Sequence, residues 1–101
     1  MHQCDISATY QGYWYIIKAM QLLEENRMRL TAVTKEIYME IAFQMRKSWK
    51  SIERDMRFVV NKAWMNNPAY VEEIAGRKLN SAPSVSLFLE ILLMYANREN
   101  E

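Results

Sequence analysis

Residues 45–64 read MRKSWKSIERDMRFVVNKAW, and the spacing of their apolar side chains decides the fold. Trp49, Ile52, Met56, Val59, Val60 and Ala63 recur at steps of three and four, so on a helix they form one stripe that must face a core. The opposite side carries Lys50, Ser51, Glu53, Arg54, Arg57 and Lys62, with Arg46 and Lys47 just ahead. Six basic residues stand against Glu53 and Asp55, a surplus of four in a chain whose formal net charge is +1. The rest of the chain is therefore net acidic, and the positive charge is gathered on this helix. A basic helix with a buried stripe, preceded by another helix and a short polar connection, is the arrangement that lays side chains into a DNA major groove.

Upstream, residues 30–45 (LTAVTKEIYMEIAFQM) repeat the helical spacing with Val33, Ile37, Tyr38, Ile41, Ala42 and Met45. One bent helix fits, and so do two short ones with a break near Tyr38 and Met39. Thr31 or Thr34 supplies a hydroxyl for its start. Ala42, small beside Ile41, permits the close crossing of a helix-turn-helix pair. The connection Arg46-Lys47-Ser48 ends on an N-cap, Ser48, and lacks the glycine that many such turns carry. From residue 12 the chain reads GYWYIIKAMQLLEENRMRL, a helix with Trp14 or Tyr15, Ile17 or Lys18, Ala19, Leu22 and Leu23 able to line one side. Glu25 and Arg29 stand four apart in the favourable order for an ion pair. Residues 1–10 read as a loose arm.

Downstream, Asn66-Asn67-Pro68 stops the basic helix, because asparagine tolerates left-handed geometry and proline disfavours helix in the residue before it. Residues 68–75 form a short helix, with Glu72 and Glu73 near its start or on its solvent side and Gly76 as C-terminal cap. Residues 77–83 form a loop carrying Arg77 and Lys78. Residues 84–96 form a helix with Val85, Phe88, Leu89, Leu92, Leu93 and Ala96 on one side, widened by Leu87, Ile91 and Met94. So apolar a helix either plugs the core or exposes a dimer surface. Residues 97–101 are expected to fray.

At 101 residues the chain has room for one core and one domain. Half the residues are hydrophobic and only two glycines and two prolines interrupt them, which points to an all-α fold. The single Cys4 excludes an intramolecular disulfide, and the N-terminus lacks the pattern of a secretory signal, so a reducing cytoplasm is expected. No window approaches the roughly 18 uninterrupted apolar residues of a membrane-spanning helix. His2 is the one histidine, which removes the usual centre of acid-base and triad chemistry, and beside Cys4 it lacks the further ligands of a closed metal site. No glycine loop cradles a phosphate. The chain is therefore read as a non-enzyme with no metal, no cofactor and no small-molecule substrate.

The residues Gly12-Tyr13-Trp14-Tyr15, Ala19, Thr34-Lys35, Tyr38, Ile41-Ala42, Ile52-Glu53-Arg54, Arg57 and Ala63-Trp64 together carry a resemblance. The chain resembles the C-terminal DNA-binding effector domain of the stage-zero sporulation protein A family, the master response regulators of sporulation. A weaker match continues at Gly76, Pro83, Ser86 and Phe88. The resemblance implies an all-helical domain of about six helices with a central helix-turn-helix, winged-helix-like without a clear wing, that binds duplex DNA as a homodimer or tandem copies. It also implies that the receiver domain joined to this module in the family is absent from these residues. Two departures stand out: Ser51 occupies a position that is basic in the family, and the bulky Trp49 replaces a small residue.

On this reading Lys50, Ser51, Glu53, Arg54 and Arg57 face base edges. Arg54 and Arg57 take guanine, while Glu53 accepts from a cytosine amino group or holds Arg57. Arg46, Lys47, Ser48, Lys62, Arg77 and Lys78 take backbone phosphates. Read without the resemblance, the same face is a solvated surface carrying pairs such as Glu53 with Arg57. The alternative function is a receiver-less interaction module that modulates a full-length regulator through its apolar C-terminal helix.

Overall fold

In a computed structural model, which describes residues 10–99, five of the six residues of the expected stripe at the centre of the chain are buried, Ile52, Met56, Val59, Val60 and Ala63 all at most 1 % exposed, while Trp49 at its start is half-buried against the same core. They lie on α3 (Trp49–Asn66), flanked by α1 (Gln11–Glu25), α2 (Met39–Met45), α4 (Pro68–Ala75) and α5 (Val85–Glu99). No strand occurs among the described residues, so the architecture is all-α and has no wing. One apolar cluster draws on every one of these helices, with Ile16, Ala19 and Leu23 from α1, Ile41 from α2, Val71 from α4 and Phe88 and Leu89 from α5. Burial of each large aliphatic side chain contributes about 1.5–3 kcal/mol.

The tightest contact in this arrangement is between α1 and α3. A Cβ added to Gly12 would overlap the carbonyl oxygen of Asp55 and lie 2.7 Å from Cγ2 of Val59, so the two backbones touch at a point where no side chain fits. The α1 face that results buries Tyr15, Ile16, Ala19, Leu22 and Leu23. Of the paired options for this face, Tyr15 goes in and Trp14 stays 53 % exposed.

The path from α1 to α2 is continuous where a helix start was expected. Asn26, extended at φ −158°, ends α1, and its side chain accepts the Met28 amide, so it caps a 3-10 segment, Arg27–Ala32. Thr31 donates its hydroxyl to the Met28 carbonyl, and Thr34 opens a π-helical segment, Thr34–Tyr38, without a side-chain cap. Val33 is already helical (φ −57°, ψ −44°), so the chain enters the π-helical segment without a fresh helix start. The π-helix passes into α2 at Tyr38 and Met39 with helical angles throughout. Of the two shapes open to this stretch, a single helix with a change of winding is the one realised. Because α1 stops at Asn26, Glu25 and Arg29 do not pair. Arg29 turns to Glu36 instead, donating to its carbonyl at 2.8 Å with the carboxylate 3.7 Å away.

The connection from α2 to α3 turns at Arg46, which takes the left-handed conformation (φ 57°, ψ 46°) in place of the missing glycine. It is the one non-glycine residue with positive φ among the described residues. The Ala42 carbonyl accepts the amides of both Arg46 and Lys47, which closes the helix end. Ser48 then caps α3, its hydroxyl accepting the Ser51 amide at 3.2 Å.

Gly76 closes α4 at φ 75° as expected, whereas Asn67 stops α3 at φ −154° and not in left-handed geometry, its side chain accepting the Tyr70 amide to cap α4. Glu72 differs from expectation, for it is half-buried and accepts the Leu79 amide at 2.7 Å, tying the following loop back to α4. The last helix plugs the core, with Val85, Phe88, Leu89, Ile91 and Leu93 buried, while Ala96 is exposed and Met94 is 58 % exposed. It also runs past Ala96 to Glu99, because Arg98 donates to the Ile74 carbonyl at 2.6 Å and lies over the Tyr95 ring. Apart from Tyr10, the expected N-terminal arm lies outside the described residues, as do Cys4 and His2.

Two substitutions separate these backbone constraints. Gly12→Ala forces α1 off α3 and is expected to lower stability by about 3 kcal/mol, the upper end for overpacking, in urea unfolding followed by circular dichroism. Arg46→Gly relieves a left-handed non-glycine residue and should raise stability by about 1 kcal/mol in the same assay.

Candidate nucleic-acid interface

The outer side of α3 is set by its inner side. With Ile52, Met56, Val59, Val60 and Ala63 buried, the helical period leaves Lys50, Arg54, Arg57 and Asn61 exposed along one strip at steps of four, three and four. Glu53 and Ser51, half-buried, flank the strip on either side. Arg57 and Glu53 form an ion pair at 3.2 Å. Arg54 donates to the Ser51 hydroxyl at 3.3 Å and keeps its Nε 3.7 Å from Asp55. The arginine side chains are 67 % and 56 % exposed, so these pairs are screened and contribute about 0–1 kcal/mol each. Either guanidinium is free to exchange its partner for a stronger acceptor.

The N-terminal end of α3 gathers further positive charge. Arg46, Lys47 and Lys50 cluster about the Ser48 cap, no acidic residue occupies the first turn, and the helix dipole adds its own positive end. Trp49 anchors this end: its ring lies parallel to that of Tyr38, 6° between planes and 6.4 Å between centroids, with the Lys50 ammonium 6.0 Å above it. Tyr38 is 6 % exposed, and its phenol is pushed up to about 12, chiefly by burial and next by the Glu53 carboxylate, with Arg57 opposing. The residue that reaches α3 from the π-helical segment thus senses the Glu53–Arg57 pair directly.

Lys47 does not extend freely. Its ammonium donates to Gln11 Oε1 at 2.7 Å and to the Tyr15 hydroxyl at 3.1 Å, which binds the α2–α3 turn to the first turn of α1.

Not every residue assigned from sequence joins this surface. Lys62 lies near the far end of α3, half-buried, and its spacing aligns it with Asp55 and Phe58 rather than with Arg54 and Arg57. Arg77 and Lys78 are exposed in the loop between α4 and α5, where Arg77 borders a cleft floored by Ile74, Leu87 and Ile91. Sequence reasoning passed over four residues. Asn61 was detectable, four beyond Arg57 on the same strip. Phe58, 51 % exposed and edge-on to Tyr10 at 5.2 Å, gave only a weak sign as an apolar residue outside the stripe. Gln11 and Tyr15 gave none, because their contact with Lys47 spans 36 and 32 residues.

No cluster of three or more His, Cys, Asp or Glu side chains fit to hold a metal ion occurs among the described residues, and none of the helices is long and apolar enough to cross a membrane. Among protein families, the one described as sporulation initiation factor Spo0A C terminal matches residues 1–96. No solved structure matches the chain.

The Tyr38 phenol carries a pH signature. Its folded pKa lies above the ordinary value of 10.0, so the folded state holds its proton more tightly and stability is fully present below pH 10. Stability should then fall by up to about 2–3 kcal/mol as pH rises through the window from 10 to about 12. Urea unfolding across that window should show a shallower decline for Tyr38→Phe.

Proposed function

This chain belongs to the sporulation initiation factor Spo0A C-terminal family, and from that premise we propose that it is a DNA-binding transcription regulator in which α2 and α3 act as a helix-turn-helix. The observation that carries this reading is the exposed cationic strip of α3, backed along its whole length by core. Such a strip is stiff, positive and about the width of a major groove, and a helix inserted there reads base edges with side chains spaced one turn apart.

Arg54 and Arg57 take guanine edges, exchanging their weak intramolecular partners for bidentate acceptors. Glu53 keeps Arg57 aimed and accepts from a neighbouring cytosine. Lys50 and Ser51 read bases nearest the start of the helix. Arg46, Lys47 and Ser48 grip the phosphates beside that start, and Lys62, Arg77 and Lys78 supply more distant backbone contacts. Two copies, paired or in tandem, extend the site along the duplex, and the protein works in the cytoplasm as a regulator, not as a catalyst. The alternative of an interaction module acting through α5 is left with Met94 and the cleft at Leu87 and Ile91, since Val85, Phe88, Leu89 and Leu93 are packed into the core.

Selection from random duplex DNA, followed by titration of the winner at two salt concentrations, tests the reading. A short motif should emerge, bound at least about a thousandfold above random duplex. Arg54→Ala should lose about 1–3 kcal/mol on that motif and flatten its preference. Lys47→Ala should weaken all duplexes alike and lower the salt slope by about one. Equal losses for Arg54→Ala on selected and random DNA would remove it from base reading.

A further inference from the structure

The cations of this surface differ in what they touch. Arg54 and Arg57 face carboxylates, as does Arg29 elsewhere. Lys47 is held by neutral groups alone: Gln11 Oε1 at 2.7 Å, the Tyr15 hydroxyl at 3.1 Å and the face of the Tyr15 ring 5.8 Å from the ammonium. The three close on one another, for the Tyr15 hydroxyl also donates to Gln11 Oε1 at 2.8 Å. No carboxylate lies within ion-pair distance of Lys47 among the described residues. Its charge is thus positioned without being cancelled.

We propose that Gln11 and Tyr15 are positioning residues of the DNA interface, which with Lys47 form a preset clamp for a backbone phosphate. The proposal rests on the DNA-binding reading above and extends the interface from α3 to the first turn of α1. An ammonium has three N–H donors, of which Gln11 and Tyr15 take two, and the exposure of Lys47 leaves the third turned to solvent. A lysine on a free surface loses its rotamer freedom when it docks on a phosphate, whereas here that freedom is already lost in the folded protein. Tyr15 can set the aim because it is itself 2 % exposed, its ring fixed in the core cluster. A phosphate oxygen then completes the shell of Lys47 beside the cap of α3, where Arg46 and Lys50 add to the same positive field.

A double-mutant cycle in DNA titrations decides the matter, with random-sequence duplex and the selected duplex as probes. Tyr15→Phe keeps the buried ring and removes only the hydroxyl. It should weaken binding to both duplexes by about two- to tenfold, the range of one hydrogen bond, and should weaken nothing further in a Lys47→Ala background. A Tyr15→Phe protein that binds like wild type, or that loses the same factor whether or not Lys47 is present, would overturn the clamp. Gln11→Ala, at an exposed position, repeats the cycle without risk to folding, and its affinity decides if Tyr15→Phe proves unfolded in a thermal melt. Should wild type bind no duplex DNA, the DNA reading fails and takes the clamp with it. Should wild type bind and the cycles show no coupling, only the clamp is lost.

Discussion

The contact between the backbones of Gly12 and Asp55 governs the geometry of this protein. Helices pack at a separation set by the side chains between them, and where that side chain is a hydrogen the axes approach as closely as they can. Here the approach seats α1 directly across α3, so that Ile16, Ala19 and Leu23 share one buried cluster with Ile52, Met56, Val59 and Val60. With one side of α3 committed to that layer, its orientation about its own axis is determined, and the exposure of Lys50, Arg54, Arg57 and Asn61 follows from the helical period. The cationic strip is thus a consequence of packing on the opposite face. The same crossing brings Gln11 and Tyr15, one residue before and three after the glycine, within reach of the α2–α3 turn.

The turn itself is held by several weak constraints acting together. A left-handed arginine is less favourable than a left-handed glycine, yet Arg46 accepts that geometry because its amide and that of Lys47 both find the Ala42 carbonyl, and because Ser48 caps the next helix at once. Around this point the Tyr38–Trp49 stack joins the end of the π-helical segment to the start of α3, and Lys47 joins the turn to α1. Three elements therefore converge on the first turn of α3. That convergence fixes the start of α3 from three sides, while Arg54 and Arg57 farther along the helix keep weak, exposed partners.

The C-terminal helix illustrates how an apolar surface is assigned. Its composition alone suits a core plug and a dimer face equally well. Burial of Phe88 and Leu89 in the common cluster and of Ile91 near α4, with Arg98 reaching across to the Ile74 carbonyl, turns it inward on more than one side. Met94 is the large apolar side chain that α5 leaves exposed, and the most exposed one among the described residues is Phe43 on α2, at 83 %.

Much of this protein was legible in its sequence, and the legible part shares one physical origin. The apolar period of α3, the Ser48 cap, the stop at Asn67-Pro68 and the left-handed Gly76 all arise from residues a few positions apart, where chain geometry leaves few choices. The same holds for the exposure of Arg54 and Arg57, which the 3.6-residue period dictates once the stripe is known. What only the tertiary structure decided depends on how separate helices dock. Arg29 pairs with Glu36 and not Glu25, Arg98 carries α5 past its expected end, and Lys47 meets Gln11 and Tyr15, in each case because packing brought together groups that the chain keeps apart. Lys62, Arg77 and Lys78 lie away from the main strip for the same reason: a charge is written in one residue, but its place on a surface is set by every element beneath it.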